Sequence, residues 1–246
     1  MQQPFRHEQI LAILHEQHTC SVQEFCGRLY CSPATVRRDL HRLEQEGLIR
    51  LFHGGAMLSV HDPVLPLSVR ENDRKEAKKA LARRAAALIP KTGGATVMLD
   101  SSSTAMYIAN YLEPEHRLKV FTNCLRTAGY LCERGVESYI IGGAIDRKSA
   151  VSLGSFAADM IGKLHVDYLF FSSQGLDAGG IISDNAEEET YLRRIMIRSA
   201  AHSYFICDSA KVGKRFLFTV CGADGIEGVI SDGDLSDIPG VRHIAL

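Results

Sequence analysis

Ser32-Pro33-Ala34-Thr35-Val36-Arg37-Arg38-Asp39-Leu40-His41-Arg42-Leu43-Glu44 is the stretch that decides how the chain begins to fold. Ser32 is a favourable N-cap. Pro33 suits the first helical position, where the missing N–H removes no helical bond. Val36, Leu40 and Leu43 recur at i, i+4 and i+7 and define a buried stripe. At roughly 100° per residue, Ala34, Arg38, His41 and Arg42 fall on the opposite face, with Thr35 and Arg37 on its flanks. The predicted helix therefore offers solvent an arginine-bearing edge with small residues at its N-terminal end. A recognition helix approaches base edges and phosphates in this way.

The flanking sequence supplies the rest of a helix-turn-helix. Residues 7–17 hold Ile10, Leu11, Ile13 and Leu14 among polar residues, which predicts a short amphipathic helix. Ser21 caps a second helix, Glu24 completes a capping box, and Val22, Phe25 and Leu29 turn inward. Tyr30-Cys31 forms the turn. Gly47 is placed as a C′ glycine, and residues 48–52 with Gly54-Gly55 read as a small hairpin, a wing. Residues 1–57 are thus expected to form an all-α winged helix-turn-helix with a small β-wing. An isolated arginine-bearing helix is more often a solvated face, here with Arg37, Arg38 and Arg42 paired to Glu44 or Glu46. The cap, the turn spacing and the wing favour DNA instead. These 57 residues carry six Lys/Arg and six Asp/Glu, so the unit is formally neutral. Its positive charge is local, and affinity for DNA is expected to rely on a dimer or larger assembly.

At 246 residues the chain has room for two domains, and its net charge of −1 gives no sign of bulk polyanion or membrane-surface binding. No apolar run approaches a bilayer span, and Met1-Gln2-Gln3-Pro4 lacks signal-peptide character. The seven cysteines are odd in number and scattered, with no C-x-x-C pair. They read as reduced core thiols of a cytoplasmic protein. His18, Cys20, Cys26 and Cys31 crowd the first domain, but their spacing fits no usual zinc pattern. No metal or cofactor is expected.

Residues 58–73, which include Pro63 and Pro66, read as a linker, and residues 74–246 as the second domain. Arg74-Lys75-Glu76-Ala77-Lys78-Lys79 opens a helix expected to run through Ile89. Its basic face fits plain solvent surface or contact with DNA or a partner subunit. Strands at 95–99, 118–121, 138–141, 168–171, 204–207 and 228–230 then alternate with helices at 104–112, 125–134, 156–163 and 187–201. That order predicts an α/β domain with a mostly parallel sheet covered on both faces. Ligands of such sheets bind outside the carboxyl ends of the strands. Those ends carry Asp100-Ser101-Ser102-Ser103-Thr104, Thr122-Asn123, Gly142-Gly143, Ser172-Ser173 and Asp208-Ser209-Ala210-Lys211. The first suits a phosphate held by helix N–H groups and hydroxyls, to which Lys211 would add a cation. Ordinary helix capping explains the same Ser/Thr residues.

The run from Ser32 to Glu44 and the later His53-Gly54-Gly55-Ala56 resemble the signature of the DeoR family of bacterial transcriptional regulators. The resemblance implies a regulator of sugar catabolism, usually a repressor, whose second domain senses a phosphorylated sugar or related metabolite and is ribose-5-phosphate-isomerase-like. The family usually carries Asp-x-Gly-Thr/Ser-Thr at the first strand end, so Ser102 stands where glycine is common. Thr122-Asn123, Gly142-Gly143 and Asp208-Ser209-x-Lys211-x-Gly213 match the family better. Glu187-Glu188-Glu189, ahead of Arg193-Arg194 and Met196, is similar to the family's glutamate-bearing helix start. Glu188 and Glu189 are both candidates for its sugar-contacting residue; the plain alternative is that acids favour a helix N-terminus.

Two classes of function follow. In the first, operator DNA and a sugar-phosphate effector bind a homo-oligomer, a dimer or tetramer, and are coupled by linkage. Thr35, Arg37, Arg38 and Arg42 read or position on DNA, Ser32 and Ala34 approach it closely, and His53 and Gly54 lie near flanking phosphates. In the second, Lys211 with Asp100 and Glu188 or Glu189 serves a sugar-phosphate isomerase with an appended DNA-binding domain. A plainer variant of the first gives the second domain only an oligomerising role.

Overall fold

The computed structural model describes residues 3–17, 19–58, 67–147 and 149–246. Two compact units divide the chain, Met1–Asp73 and Arg74–Leu246. The first contains helix α1 (Gln3–Gln17), strand β1 (Thr19–Ser21), helices α2 (Val22–Leu29) and α3 (Pro33–Gln45), strands β2 (Ile49–Phe52) and β3 (Gly55–Leu58), and helix α4 (Leu67–Asn72).

The caps form as the sequence indicates. Ser21 Oγ accepts from Glu24 N (3.2 Å) while the Glu24 carboxylate accepts from Ser21 N (2.9 Å), and Ser32 Oγ accepts from Thr35 N (3.3 Å). Ile10, Leu11 and Leu14 of α1, Phe25 and Leu29 of α2, and Val36, Leu40 and Leu43 of α3 close one apolar core. Gly47 adopts φ +73°, which lets Leu48 N reach Leu43 O (3.0 Å) and ends α3. Two findings depart from expectation. The wing is a three-stranded sheet of order β1-β3-β2 rather than a lone hairpin. Within the expected linker, residues 67–72 form α4, which buries Leu67 and packs against α1. Pro63 and Pro66 lie outside the described residues.

The second unit runs α5 (Lys75–Ala86), β4 (Thr96–Leu99), α6 (Ser103–Met106), β5 (Lys119–Thr122), α7 (Leu125–Glu133), β6 (Ser138–Ile140), β7 (Ala144–Asp146), β8 (Val151–Leu153), α8 (Ser155–Gly162), β9 (Val166–Phe171), β10 (Gly175–Leu176), β11 (Ile181–Asp184), α9 (Glu187–Arg198), β12 (Ala200–Cys207), β13 (Phe218–Gly222), β14 (Gly228–Ser231) and β15 (His243–Ala245). Seven strands form a parallel sheet of order β15-β14-β12-β9-β4-β5-β6. Its central strands are apolar on both sides because both faces are covered. Val97 and Leu99 point to a core shared with α5, α6 and α7. Met98 points to one shared with α8 and α9.

Several sequence boundaries move. The helix expected at 104–112 is a single α-turn followed by the 3-10 segment Tyr107–Tyr111, α5 stops at Ala86, and α9 stops at Arg198 with β12 starting at Ala200. The antiparallel strands β7, β8, β10, β11 and β13 and the edge strand β15 escape the sequence reading. Each of the five antiparallel strands is too short to show a period of its own or draws its partner from elsewhere in the chain. Of the cysteines expected in the core, Cys20, Cys124 and Cys207 are buried, but Cys132 is exposed. Burial pushes the Cys207 and Cys221 thiols up to about 12.

Candidate nucleic-acid interface and effector site

The outer face of α3 is laid out as its periodicity requires. Ser32, Ala34, Arg37, Arg38, His41 and Arg42 are exposed and Thr35 is half-buried, its hydroxyl 2.9 Å from Ser32 Oγ. Among the described residues none of Arg37, Arg38 and Arg42 forms an ion pair. Of the two acceptors expected for them, Glu44 is engaged elsewhere: its Oε1 accepts from Leu51 N of β2 (2.9 Å), and its Oε2 stands 3.8 Å from His41 Nδ1. His53 and Gly54 form the exposed turn between β2 and β3. Gly54 adopts φ +89°, and its carbonyl accepts from Val22 N (2.9 Å), which ties the turn to the start of α2. Beside it, a Cβ on Gly55 would stand 2.5 Å from Cys20 O, so only glycine lets β3 lie this close to β1.

The sequence reading passed over Asp39. It lies on the buried face of α3 with its carboxylate 1% exposed, where Arg6 Nε (2.5 Å), Arg6 Nη2 (3.1 Å) and His7 Nε2 (3.2 Å) meet it. Burial pushes this carboxyl up, but the bonds from Arg6 and His7 outweigh it and hold it below the usual carboxylate range. A signal was present: Asp39 falls three residues after Val36, on the apolar stripe, where a lone charge needs a partner. For the zinc idea, His18 lies outside the described residues. Among the described residues no group of three His, Cys, Asp or Glu is arranged to hold a metal.

In the second unit the strand ends converge on an arginine that the sequence reading used only as a family marker. Arg193 of α9 is buried. Its Nε donates to Asp100 Oδ2 (2.9 Å), its Nη1 to Asp184 Oδ2 (3.0 Å) and its Nη2 to Glu189 Oε2 (2.7 Å). Burial alone would lower its affinity for the proton, and the carboxylates of Asp184, Glu189 and Asp100 more than reverse that. Ser101 Oγ donates to Glu189 (3.3 Å). Ser102 donates to Asp100 Oδ1 through both N (3.0 Å) and Oγ (2.5 Å), while its Oγ caps α6 by accepting from Ala105 N (3.1 Å). Ser103 and Thr104 are buried in the same turn, and Thr104 Oγ1 has no hydrogen-bond partner among the described residues.

Lys211 joins this group through β9. Its Nζ donates to Ser172 Oγ (2.8 Å), whose own proton goes to Ile206 O (2.7 Å). The turn carrying Lys211 is anchored by Asp208, which accepts from Arg74 Nη1 (3.2 Å) and Ala210 N (3.1 Å). Thr122 and Asn123 are buried at the end of β5. Thr122 Oγ1 accepts from Cys124 N (3.1 Å) and Asn123 Nδ2 donates to Ser152 O (3.1 Å). Gly142 and Gly143 are both exposed; Gly143 packs on β8, and Gly142 has open space beside it.

The two candidate glutamates separate. Glu189 faces the strand ends; Glu188 is exposed and lines a groove of about 880 Å³ between α8 and α9, with Ala158, Gly162, Tyr191 and Ile195. On a helix, a step of one residue turns a side chain by roughly 100°. Glu188 therefore drops out of the strand-end group. Arg193 and Asp184 enter it, and three carboxylates shared out around one guanidinium make it a rigid polar hub rather than an open acid–base pair.

A winged helix-turn-helix followed in one chain by a parallel α/β unit with a polar strand-end site defines the class of DNA-binding transcriptional regulators with a sensor domain. The chain belongs to the DeoR family: residues 6–60 match the DeoR-like helix-turn-helix domain and residues 73–233 the DeoR C terminal sensor domain. It is 30% identical to the L-fucose operon activator of Haemophilus influenzae over 95% of this chain and 93% of that one. It is 27% identical to the glycerol-3-phosphate regulon repressor of Escherichia coli over 94% and 92% of the two chains. Ribose 5-phosphate isomerase a from Methanocaldococcus jannaschii is similar over 56% of this chain and 55% of that one at 13% identity, with a TM-score of 0.42, too slight a likeness to bear an argument. No helix among the described residues is long and apolar enough to cross a membrane.

Proposed function

We propose that the chain is a cytoplasmic repressor of a sugar or sugar-acid catabolic operon, binding operator DNA as a homo-oligomer whose affinity is set by a phosphorylated sugar in the second unit. The observation that carries the DNA reading is the state of Arg37, Arg38 and Arg42: exposed on one edge of α3, with no ion pair among the described residues. Arginines left uncommitted beside a carboxylate that is engaged elsewhere are available for guanine edges and phosphates. Thr35 sits between them and the Ser32–Ala34 end, which is small enough for close approach. His53 and Gly54 extend the contact to the wing.

For the effector, Lys211 supplies a cation beside the Ser172 hydroxyl, the first strand end supplies the buried hydroxyls of Ser103 and Thr104, and Arg193 keeps Asp100 and Glu189 from repelling an anion. Ser102 is turned back onto Asp100, so the first strand end offers hydroxyls more than backbone. This favours binding over turnover, because the carboxylates an isomerase would use as base are held by Arg193. Effector binding to one arrangement of the oligomer then shifts operator affinity by linkage.

A gel shift on DNA upstream of neighbouring genes tests both halves. Arg38→Ala is expected to lower specific retention at least roughly tenfold with an unchanged circular dichroism spectrum. A panel of sugar phosphates is expected to contain one that alters retention of the wild type. Unaltered binding by the variant would sink the DNA assignment.

A further inference from the structure

At the end of β5 three buried polar atoms have no hydrogen-bond partner among the described residues: Asn123 Oδ1, Thr127 Oγ1 and Ser152 Oγ. Their residues are 1%, 0% and 2% exposed. A buried polar group left unmade carries its full desolvation penalty, so such atoms call for a reason. Asn123 and Ser152 are locked together. Asn123 Nδ2 donates to Ser152 O (3.1 Å) and Ser152 N donates to Asn123 O (2.8 Å). The first of these bonds fixes the amide so that Oδ1 is left as an acceptor. Whatever meets it must donate a proton, which the oxygens of a dianionic phosphate ester do not and a sugar hydroxyl does.

Gly143 borders the Ser152 hydroxyl. A Cβ there would stand 2.7 Å from Ser152 Oγ and 2.4 Å from Leu153 O, so any larger residue would crowd the serine hydroxyl. Thr127 lies in the first turn of α7, the helix that begins two residues after Asn123. The three groups carry no charge, unlike the hub around Arg193.

We infer that Asn123, Thr127 and Ser152 form a hydroxyl-recognising subsite that takes the polyol part of the effector, while its anionic part lies toward Lys211. The inference rests on the effector reading above and adds Thr127 and Ser152 to the residues that discriminate between ligands. Because neither hydroxyl has a hydrogen-bond partner among the described residues, Ser152→Ala and Thr127→Val remove no bond seen to hold the fold together.

The test is calorimetry and thermal melting of the full chain with pentose and hexose phosphates, the same sugars without phosphate, and inorganic phosphate. Both variants are expected to melt as the wild type does without ligand, to respond to inorganic phosphate as it does, and to lose at least tenfold in affinity for the sugar ligands. Wild-type affinity of both variants for every sugar ligand overturns the subsite. So does an equal loss toward inorganic phosphate, since the residues would then hold the anion. If the wild type binds free sugars but not their phosphates, the phosphate reading fails and the subsite stands on the variants' losses. If it binds inorganic phosphate but no sugar, the subsite fails and the anion site stands; binding to no member of the panel overturns both.

Discussion

Asp39 follows directly on the arginine pair that faces solvent, yet its own carboxylate is buried under α1 by Arg6 and His7. The same run of residues therefore points two charges outward and one inward, and the inward one bonds α3 to α1. Asp39→Asn keeps the shape and removes the charge. It is expected to destabilise the first unit by about 2 kcal/mol, the range for charge-assisted bonds, read as a lower melting temperature or denaturant midpoint, and to weaken DNA retention although Asp39 touches no base. The pH dependence follows from the depressed carboxyl. A group ionising more readily in the folded state contributes stability above its unfolded value and loses it as pH falls through its folded value. The wild type should therefore hold this contribution in full above the ordinary carboxylate range and lose it progressively as pH falls from there through the depressed folded value, whereas Asp39→Asn should show no such loss. An acid-unfolding curve equal for both would contradict the role given to the pair.

Arg193 does for whole elements what Asp39 does for one helix. Its three bonds tie the end of β4, the end of β11 and the first turns of α9 to one guanidinium. Arg193→Gln leaves three buried carboxylates without a counter-charge. Breaking a buried pair from one side is worth about 3–5 kcal/mol, and the second unit should melt correspondingly lower at pH 7. Part of that loss should return as pH is lowered, because protonation removes the uncompensated charge; a variant that only weakens further in mild acid would show the hub is not what holds these elements. Ser102 works at this scale too. By capping α6 and binding Asp100 at once, it joins the shortest helix of the sheet's crossovers to the hub, a task glycine has no side chain to perform.

The molecule as a whole divides its tasks between two units, each with its own core. We propose that they fold separately: residues 74–246 expressed alone should melt cooperatively and keep the ligand-induced rise in melting temperature, and should not retain operator DNA. A fragment that fails to melt cooperatively would show that the second core needs the first. The neutral balance of residues 1–57 bears on affinity at this scale, since few phosphates are neutralised per copy and a second copy doubles them.

What was legible in the sequence was what a few consecutive residues decide. The caps at Ser21 and Ser32, the stripe Val36-Leu40-Leu43, the exposure of Arg38 and Arg42 and the apolar runs of β4, β9 and β12 all follow from local geometry and from which faces must leave water. The strand ends were legible as a group for the same reason, since a parallel sheet gathers them at one edge. What only the tertiary structure decided are pairings between residues far apart: Arg6 with Asp39 across 33 positions, and Arg193 with Asp100 across 93. Sequence order places β9 four strands after β5 and gives no sign that β4 separates them in the sheet. The choice of Glu189 over Glu188 also waited on the fold, because both satisfy the helix N-terminus equally and only the direction of Arg193 tells them apart. The opening helix thus carried its own meaning in its periodicity, while the sensor site took its meaning from charges that meet only when distant strands become neighbours.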